Sequence, residues 1–313
     1  ITKMSVNFSE ISYKNFGKCI KMENETATVI VTVDVGPRVI YYGLNGKSNI
    51  FREDINRDSF NDKKQLHDFF ETEENWYIYG GHRLWSSPES YPESYTPDNH
   101  PVPYEIKGNS IKLCPEDRVK VGERHTMTVT MDENTSKVTV NHTIQNIADF
   151  EIKLAPWCLT VAEKGGVEIV PQCTEDTGLL SNRRAVFWAY SDVRDPRFFI
   201  CDKYITLAQT DREQAFKIGV NNEDGWGAYL NGGQLFIKRF DFDKDGEYPD
   251  YSVNYETYTN QFIMEIESLG TLETLRPGEF TEYNEYWEVK ECSDTFDRTD
   301  PDSIDAFVKK HIL

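Results

Sequence analysis

Hydrophobic and polar residues alternate with a period of two along much of this 313-residue chain, and that periodicity is the strongest constraint on its fold. Met127, Val129 and Met131 fall on one face of an extended segment, and Thr126, Thr128 and Thr130 fall on the other. Asp132 to Ser136 then form a turn, and the run Lys137 to Gln145 completes a hairpin. Strand-like runs recur at Thr28 to Val33, Ile152 to Val161, Ile205 to Ala208, Phe216 to Val220, Leu235 to Phe240, Phe262 to Leu269 and Tyr283 to Val289. Helical periodicity is nearly absent among them, so the expected fold class is all-β, built from large antiparallel sheets.

One helix is expected, at the C-terminus. Asp300 caps it, Pro301 occupies its first turn, and Ile304, Phe307, Val308 and Ile312 share a stripe. With no repeat, linker or composition break, residues 1–299 read as one β domain, and residues 300–313 as a helix packed on it. Aromatic residues make up 13% of the chain, which supplies bulk for an extended core.

The formal charge of −19, from 53 acidic against 34 basic residues, repels phosphate backbones and anionic lipid. Nucleic acid and membrane partners are therefore not expected. No apolar run approaches the roughly 18 to 20 residues needed to span a bilayer. The six cysteines are scattered without paired spacing and read as free, mostly buried thiols, which points to a cytoplasmic location. The sequence says nothing of oligomeric state.

Two segments could carry chemistry. In Phe262 to Leu269, Phe262, Met264 and Ile266 share one face, while Glu265 and Glu267 project together from the other. On a solvated face such a pair only wets the sheet; in a cleft, mutual repulsion and burial would raise one carboxyl pKa and suit a general base. The segment Trp76 to Trp85 packs four large aromatics, Gly80-Gly81, His82 and Arg83 into ten residues. It is either a packed aromatic corner or a sugar site, since sugars need flat apolar faces beside directed hydrogen-bond donors. Tyr91, Tyr95, His100 and Tyr104 could line the same opening.

His142 shares a face with Val138, Val140 and Ile144 and reads as a core or boundary histidine. Asp241, Asp243, Asp245 and Gly246 open like a calcium loop, but the twelfth position is Ser252 rather than a bidentate Glu, so no metal is expected. No cofactor motif is present: the chain lacks a Rossmann or Walker fingerprint, GxSxG and HExxH.

The block Gly80-Gly81-His82-Arg83-Leu84-Trp85-Ser86-Ser87-Pro88-Glu89 and the strand Glu265-Ile266-Glu267-Ser268-Leu269-Gly270 resemble the galactose mutarotase-like superfamily. Val35 to Ile40, Ala155 to Thr160 and Leu275 to Glu279 support the likeness, and together these pieces span most of the chain in order. The resemblance implies a β supersandwich whose concave sheet binds a sugar. It also implies that Glu267 abstracts the proton of an anomeric hydroxyl, as in aldose and hexose-phosphate epimerases. The acid histidine of that family is missing here, where the sequence reads Pro156-Trp157-Cys158-Leu159-Thr160. Either His82 or His100 then takes its place, or the protein binds sugars without interconverting them.

The expected ligand is a small, neutral carbohydrate. Glu267, His82 and His100 are the candidate catalytic residues, and Arg83, Trp85, Arg38, Tyr79 and Glu265 the candidate binding residues. A phosphate group would need a basic cluster, for which only Arg38, Arg83 and Arg239 are available. A glycosidase built on Glu265 and Glu267 is disfavoured, because two residues on one strand stand roughly 6.5 to 7 Å apart, side by side rather than flanking a substrate. A noncatalytic lectin-like or protein-interaction module on the same scaffold is the alternative.

Overall fold

The structure, a computed structural model, describes residues 6–313 and is dominated by two large antiparallel sheets. The first runs in the spatial order Asn7–Ser12, Lys18–Glu23, Ala27–Thr32, Val39–Leu44, Gly81–Ser87, Ile152–Ala162, Met264–Leu269, Tyr255–Thr259, Phe216–Val220 and Ala185–Phe187. The second includes Val167–Pro171, Trp226–Asn231, Gln234–Phe240, Phe280–Glu291, Val138–Asn146 and Glu123–Met131 as its centre. The hairpin read from sequence is present, with Met127 opposite His142 and Val129 opposite Val140.

The inner faces of the two sheets bury one continuous apolar core, because each strand sends every second side chain inward. Val29, Met127, Val140, Cys158, Met264, Ile266, Phe236 and Trp287 belong to it. The outer face of the first sheet is not solvated as a simple sandwich face would be. Trp85, Trp157, Leu159, Leu269 and the helix residue Leu66 form a separate apolar cluster on it, so both faces of its central strands are covered.

The helix Pro301–His311 forms as its end signals require: Asp300 accepts a hydrogen bond from the Asp302 amide, and Ile304, Phe307 and Val308 pack against Trp226, Leu235 and Ile237. A second helix, Lys64–Phe70, was not apparent from periodicity; at seven residues it buries only Leu66 and leaves too short a pattern to read. One strand expectation is corrected. Pairing starts at Met264, and Phe262, in the turn organised by Asn260, packs with the outer cluster rather than with Met264 and Ile266. All six cysteines are free thiols, and no helix among the described residues is long and apolar enough to cross a membrane.

Candidate functional site

The register across the first sheet decides which side chains meet. Arg83, Leu159, Glu267 and Glu256 lie in one cross-strand row, and Gly81, Val161, Glu265, Tyr258 and Lys217 in the adjacent row of the same face. His82, Thr160, Ile266 and Thr257 form the intervening row, which by alternation faces the sandwich interior. The Gly80-Gly81 turn sets this phase. Both glycines have positive φ, and a Cβ on either would lie 2.0 Å from a carbonyl oxygen, of Arg52 and Val39 respectively.

Lys217 is the hub of the outer face. Its ammonium lies 2.7 Å from Glu256 Oε2 and donates to Glu267 Oε2 at 3.0 Å, and it sits 4.8 Å and 4.6 Å from the ring centres of Trp157 and Trp188. Trp157 Nε1 donates to the same Glu267 oxygen at 2.8 Å, while Glu267 Oε1 has no partner and is buried. Next to this group, Arg83 donates to Glu265 at 3.1 Å and its guanidinium lies over Trp85, 4.4 Å from the ring centre. Trp85 in turn packs edge-on against Trp157 and Tyr95.

Three carboxyl groups thus share two cations in a largely dry environment, and they cannot all ionise at equal cost. Burial pushes Glu256 well above the usual carboxylate range, more than Lys217 can pull it down, and neither of its oxygens has a well-formed hydrogen bond. Glu265 is raised by burial as well, against the pull of Arg83. Lys217 is held well above its ordinary value because Glu267 and Glu256 outweigh the cost of burying it. The arrangement therefore sets Glu256, whose burial works against its ionisation, beside Glu267, which accepts two hydrogen bonds.

Above this floor opens a recess of about 450 Å³, lined by Trp157, Trp188, Lys217, Glu256, Asp250 and Tyr91, with Tyr95, Glu89, Ser90 and Lys63 at its wall. Glu267 lies just beneath, under Lys217 and Trp157, with no exposed surface of its own.

The expected site residues divide between this recess and other places. Glu267, Glu265, Arg83 and Trp85 are brought together, as are Tyr91 and Tyr95. His82 is not: one residue out of phase with Arg83, it points between the sheets. There His82 and His142 form a chain of neutral imidazoles. His142 Nδ1 donates to the Tyr283 carbonyl, so its Nε2 accepts from His82 Nε2 at 2.8 Å, and His82 Nδ1 accepts from Thr160. Burial first, then Lys238, pushes His82 well below the ordinary histidine value, so it has no proton to give a ligand on the far face.

His100 is also displaced. It is exposed and bridges Glu116 and Glu74, which raise its pKa, and it belongs to a different recess. Arg38 lines that second recess too, holding Asp98 with two nitrogens. Tyr79 is buried in another apolar cluster with its hydroxyl on Asn99. Tyr104 lies on the edge strand Tyr104–Lys107 of the other sheet. Arg38, Arg83 and Arg239 form no common cluster, since Arg239 donates instead to the Ile312 carbonyl at the end of the C-terminal helix.

Glu256, Lys217 and Trp188 escaped sequence reasoning. Alternation in Tyr255-Glu256-Thr257-Tyr258-Thr259 carries the signal for Glu256, whereas nothing local marks Lys217, whose partners lie 39 and 50 residues away in sequence.

Among the described residues, two groups bring potential metal donors together, His82–His142–Glu285 and Cys173–Glu175–Glu223. In each a lysine already holds an acid: Lys238 lies 2.8 Å from Glu285, and Lys244 lies 3.0 Å from Glu175. Asp241 and Asp243 serve a turn, with Asp243 accepting from the Asp245 amide and Asp241 from the Tyr286 hydroxyl.

No protein-family model and no curated protein sequence matches the chain. Solved structures do. A TPR-domain containing protein from Parabacteroides distasonis aligns over 89% of this chain with a TM-score of 0.62 and 15% identity, and the chain spans about half of that protein, 48% of its length. A protein provisionally described as an aldose 1-epimerase, from Klebsiella pneumoniae, aligns over 94% of this chain and 82% of its own, with a TM-score of 0.55 and 12% identity. A galactose mutarotase-like protein from Lactobacillus casei aligns over 87% of this chain and all of its own, with a TM-score of 0.50 and 9% identity. With its paired antiparallel sheets matched across nearly the whole chain, the protein has the galactose mutarotase-like β-sandwich fold.

Proposed function

We propose that the recess over Trp157, Trp188 and Lys217 binds a neutral carbohydrate. The observation that carries this reading is the pairing of two indole rings with a buried Lys217–Glu256–Glu267 cluster. Indole faces cover the C–H surface of a sugar ring, while the Lys217 ammonium donates to its hydroxyls and the Glu256 carboxyl meets them, with Glu267 held just behind both. A small neutral ring suits a recess of about 450 Å³ in which acids outnumber bases. Trp188 is half-buried and holds no core position, so Trp188→Ala is expected to leave the fold intact and to weaken sugar binding by about tenfold or more. Saturation-transfer NMR against a panel of neutral aldoses and disaccharides reads this directly. Equal binding by the variant, or no binding to any sugar, removes the proposal.

The same geometry favours anomeric interconversion as the chemistry. Opening a hemiacetal takes a proton from the anomeric hydroxyl and delivers one to the ring oxygen, and both oxygens sit on one carbon. Base and acid must therefore stand side by side. Glu267 and Glu256 are direct cross-strand neighbours, whose Cβ atoms lie about 4.5–5.5 Å apart in such pairs. In this reading Glu267 acts as base and Glu256 as acid, and the bound ring displaces Lys217 or Trp157 to reach Glu267, which lies beneath them. Polarimetry on freshly dissolved α-glucose and α-galactose tests the step. Rate acceleration lost in Glu267→Gln with sugar binding retained is the expected result; no acceleration in the unmodified protein leaves the lectin-like reading.

A further inference from the structure

The second recess, of about 330 Å³, opens at one end of the sandwich between the strands Gly81–Ser87 and Glu123–Met131 and shares no lining residue with the first. Its cations are nearly all matched. Arg38 holds Asp98, His100 bridges Glu74 and Glu116, and Lys120 pairs with Glu71. Arg118 is the exception. It lines the recess half-buried, and its guanidinium has no hydrogen bond or ion pair among the described residues. In a chain with 53 acidic residues a carboxylate partner is easily supplied, yet this half-buried guanidinium has none within ion-pair distance and is free to take one from a ligand.

The backbone that carries Arg118 is firmly placed. Its amide donates to the Glu123 carbonyl at 2.8 Å, and Gly122 closes the turn at a φ of 75°, where a Cβ would meet Ala148 at 2.8 Å. Part of the wall is apolar: Pro37, Phe70, Leu84, Pro97, Val119 and Met127. Glu74, Asp98, Glu116 and Asp117 also border it, so a phosphate dianion would meet strong repulsion where a monoanion would meet less.

We propose that this recess is a binding site for a small organic monocarboxylate, whose carboxylate is taken by the Arg118 guanidinium and whose apolar body rests on Phe70, Leu84 and Met127. A planar guanidinium matches a carboxylate with two parallel hydrogen bonds. The volume sits at the lower end of small-ligand sites, which suits an acid of a few carbons.

Isothermal titration with 4-methylpentanoate and with its uncharged amide provides the test. Saturable binding of the acid is expected, with the amide weaker by roughly tenfold or more, the worth of a charge-assisted pair. Arg118→Met should lose the acid to the same degree. Arg124→Met, which removes a neighbouring arginine already paired with Asp117, should keep it, as should Trp188→Ala, whose failure to bind sugar is a separate matter. Equal binding of acid and amide by the unmodified protein, no saturation by either, or full binding by a folded Arg118→Met protein overturns the proposal. The comparison of acid with amide decides the matter even where the Arg118 variant does not fold.

Discussion

Glu256 and Glu267 stand directly opposite each other on neighbouring antiparallel strands, and one ammonium, that of Lys217, reaches both. Two facing carboxylates repel, so such a pair persists on a dry face only where a cation is shared or one partner keeps its proton. Lys217 supplies the shared cation here, and burial works against ionisation of Glu256.

Lys217→Met should therefore cost more than a lost surface ion pair. It leaves Glu267 buried with only the Trp157 indole as donor, and breaking a buried pair costs about 3–5 kcal/mol. The double variant Lys217→Met, Glu267→Gln should recover a substantial part of that loss. Urea denaturation of the single and double variants measures it, and additivity would show that the two residues do not act together.

Glu168 sets a second expectation. It is buried between the sheets, accepts hydrogen bonds from Tyr255 and Thr257, and burial raises its pKa from 4.5 to about 7. A carboxyl with a raised folded-state pKa contributes stability that is present in full below the unfolded value and gone above the folded one. The loss thus falls between about pH 4.5 and 7 and amounts to something on the order of 3 kcal/mol. Glu168→Gln should flatten the stability profile in that window, as read from urea midpoints at successive pH values.

His142 acts in the opposite direction. Burial lowers it from 6.5 to about 4, so its contribution is present above pH 6.5 and is lost as pH falls through 4. His142→Gln should weaken the acid-side decline while leaving the profile above pH 7 parallel to that of the unmodified protein.

Gly81→Ala should be among the most damaging single substitutions. The new Cβ would fall on the Val39 carbonyl oxygen at a backbone φ of 59°, and relief would require moving the strand that carries Arg83. A loss above about 4 kcal/mol, or failure to accumulate folded protein, is expected in denaturation and expression assays.

The C-terminal helix is expected to unfold with the sheets as one cooperative unit. Ile304 is fully buried among Trp226, Leu235 and Ile237, so Ile304→Ala should cost about 2–5 kcal/mol and shift a single thermal transition. A separate early transition in calorimetry would show that residues 300–313 melt independently.

Much of this architecture is legible in the chain itself. Met264 and Ile266 face the core and Glu265 and Glu267 the other side, as alternation requires. The same rule applied to His82 and Arg83 separates them: adjacent residues on one strand cannot share a face, and the strand delivers Arg83 to the outer face, on Glu265 and Trp85, and His82 to the interior. His100, in a long loop, had no such rule to place it, and it follows its loop to Glu74 and Glu116.

The sequence by itself determined the strand segments, the two faces of each, and the capped C-terminal helix, because these follow from covalent geometry and from neighbours a few residues apart. Only the tertiary structure decided that Lys217, Glu256, Glu267, Trp157 and Trp188 meet, and that the sheet face they occupy is dry. The physical reason is that strand order and register are chosen by burial over the whole sandwich. Non-local pairing brings residues as distant in sequence as Arg83 and Glu265, 182 positions apart, or Trp157 and Glu267, 110 apart, within one hydrogen bond, and no local pattern records it.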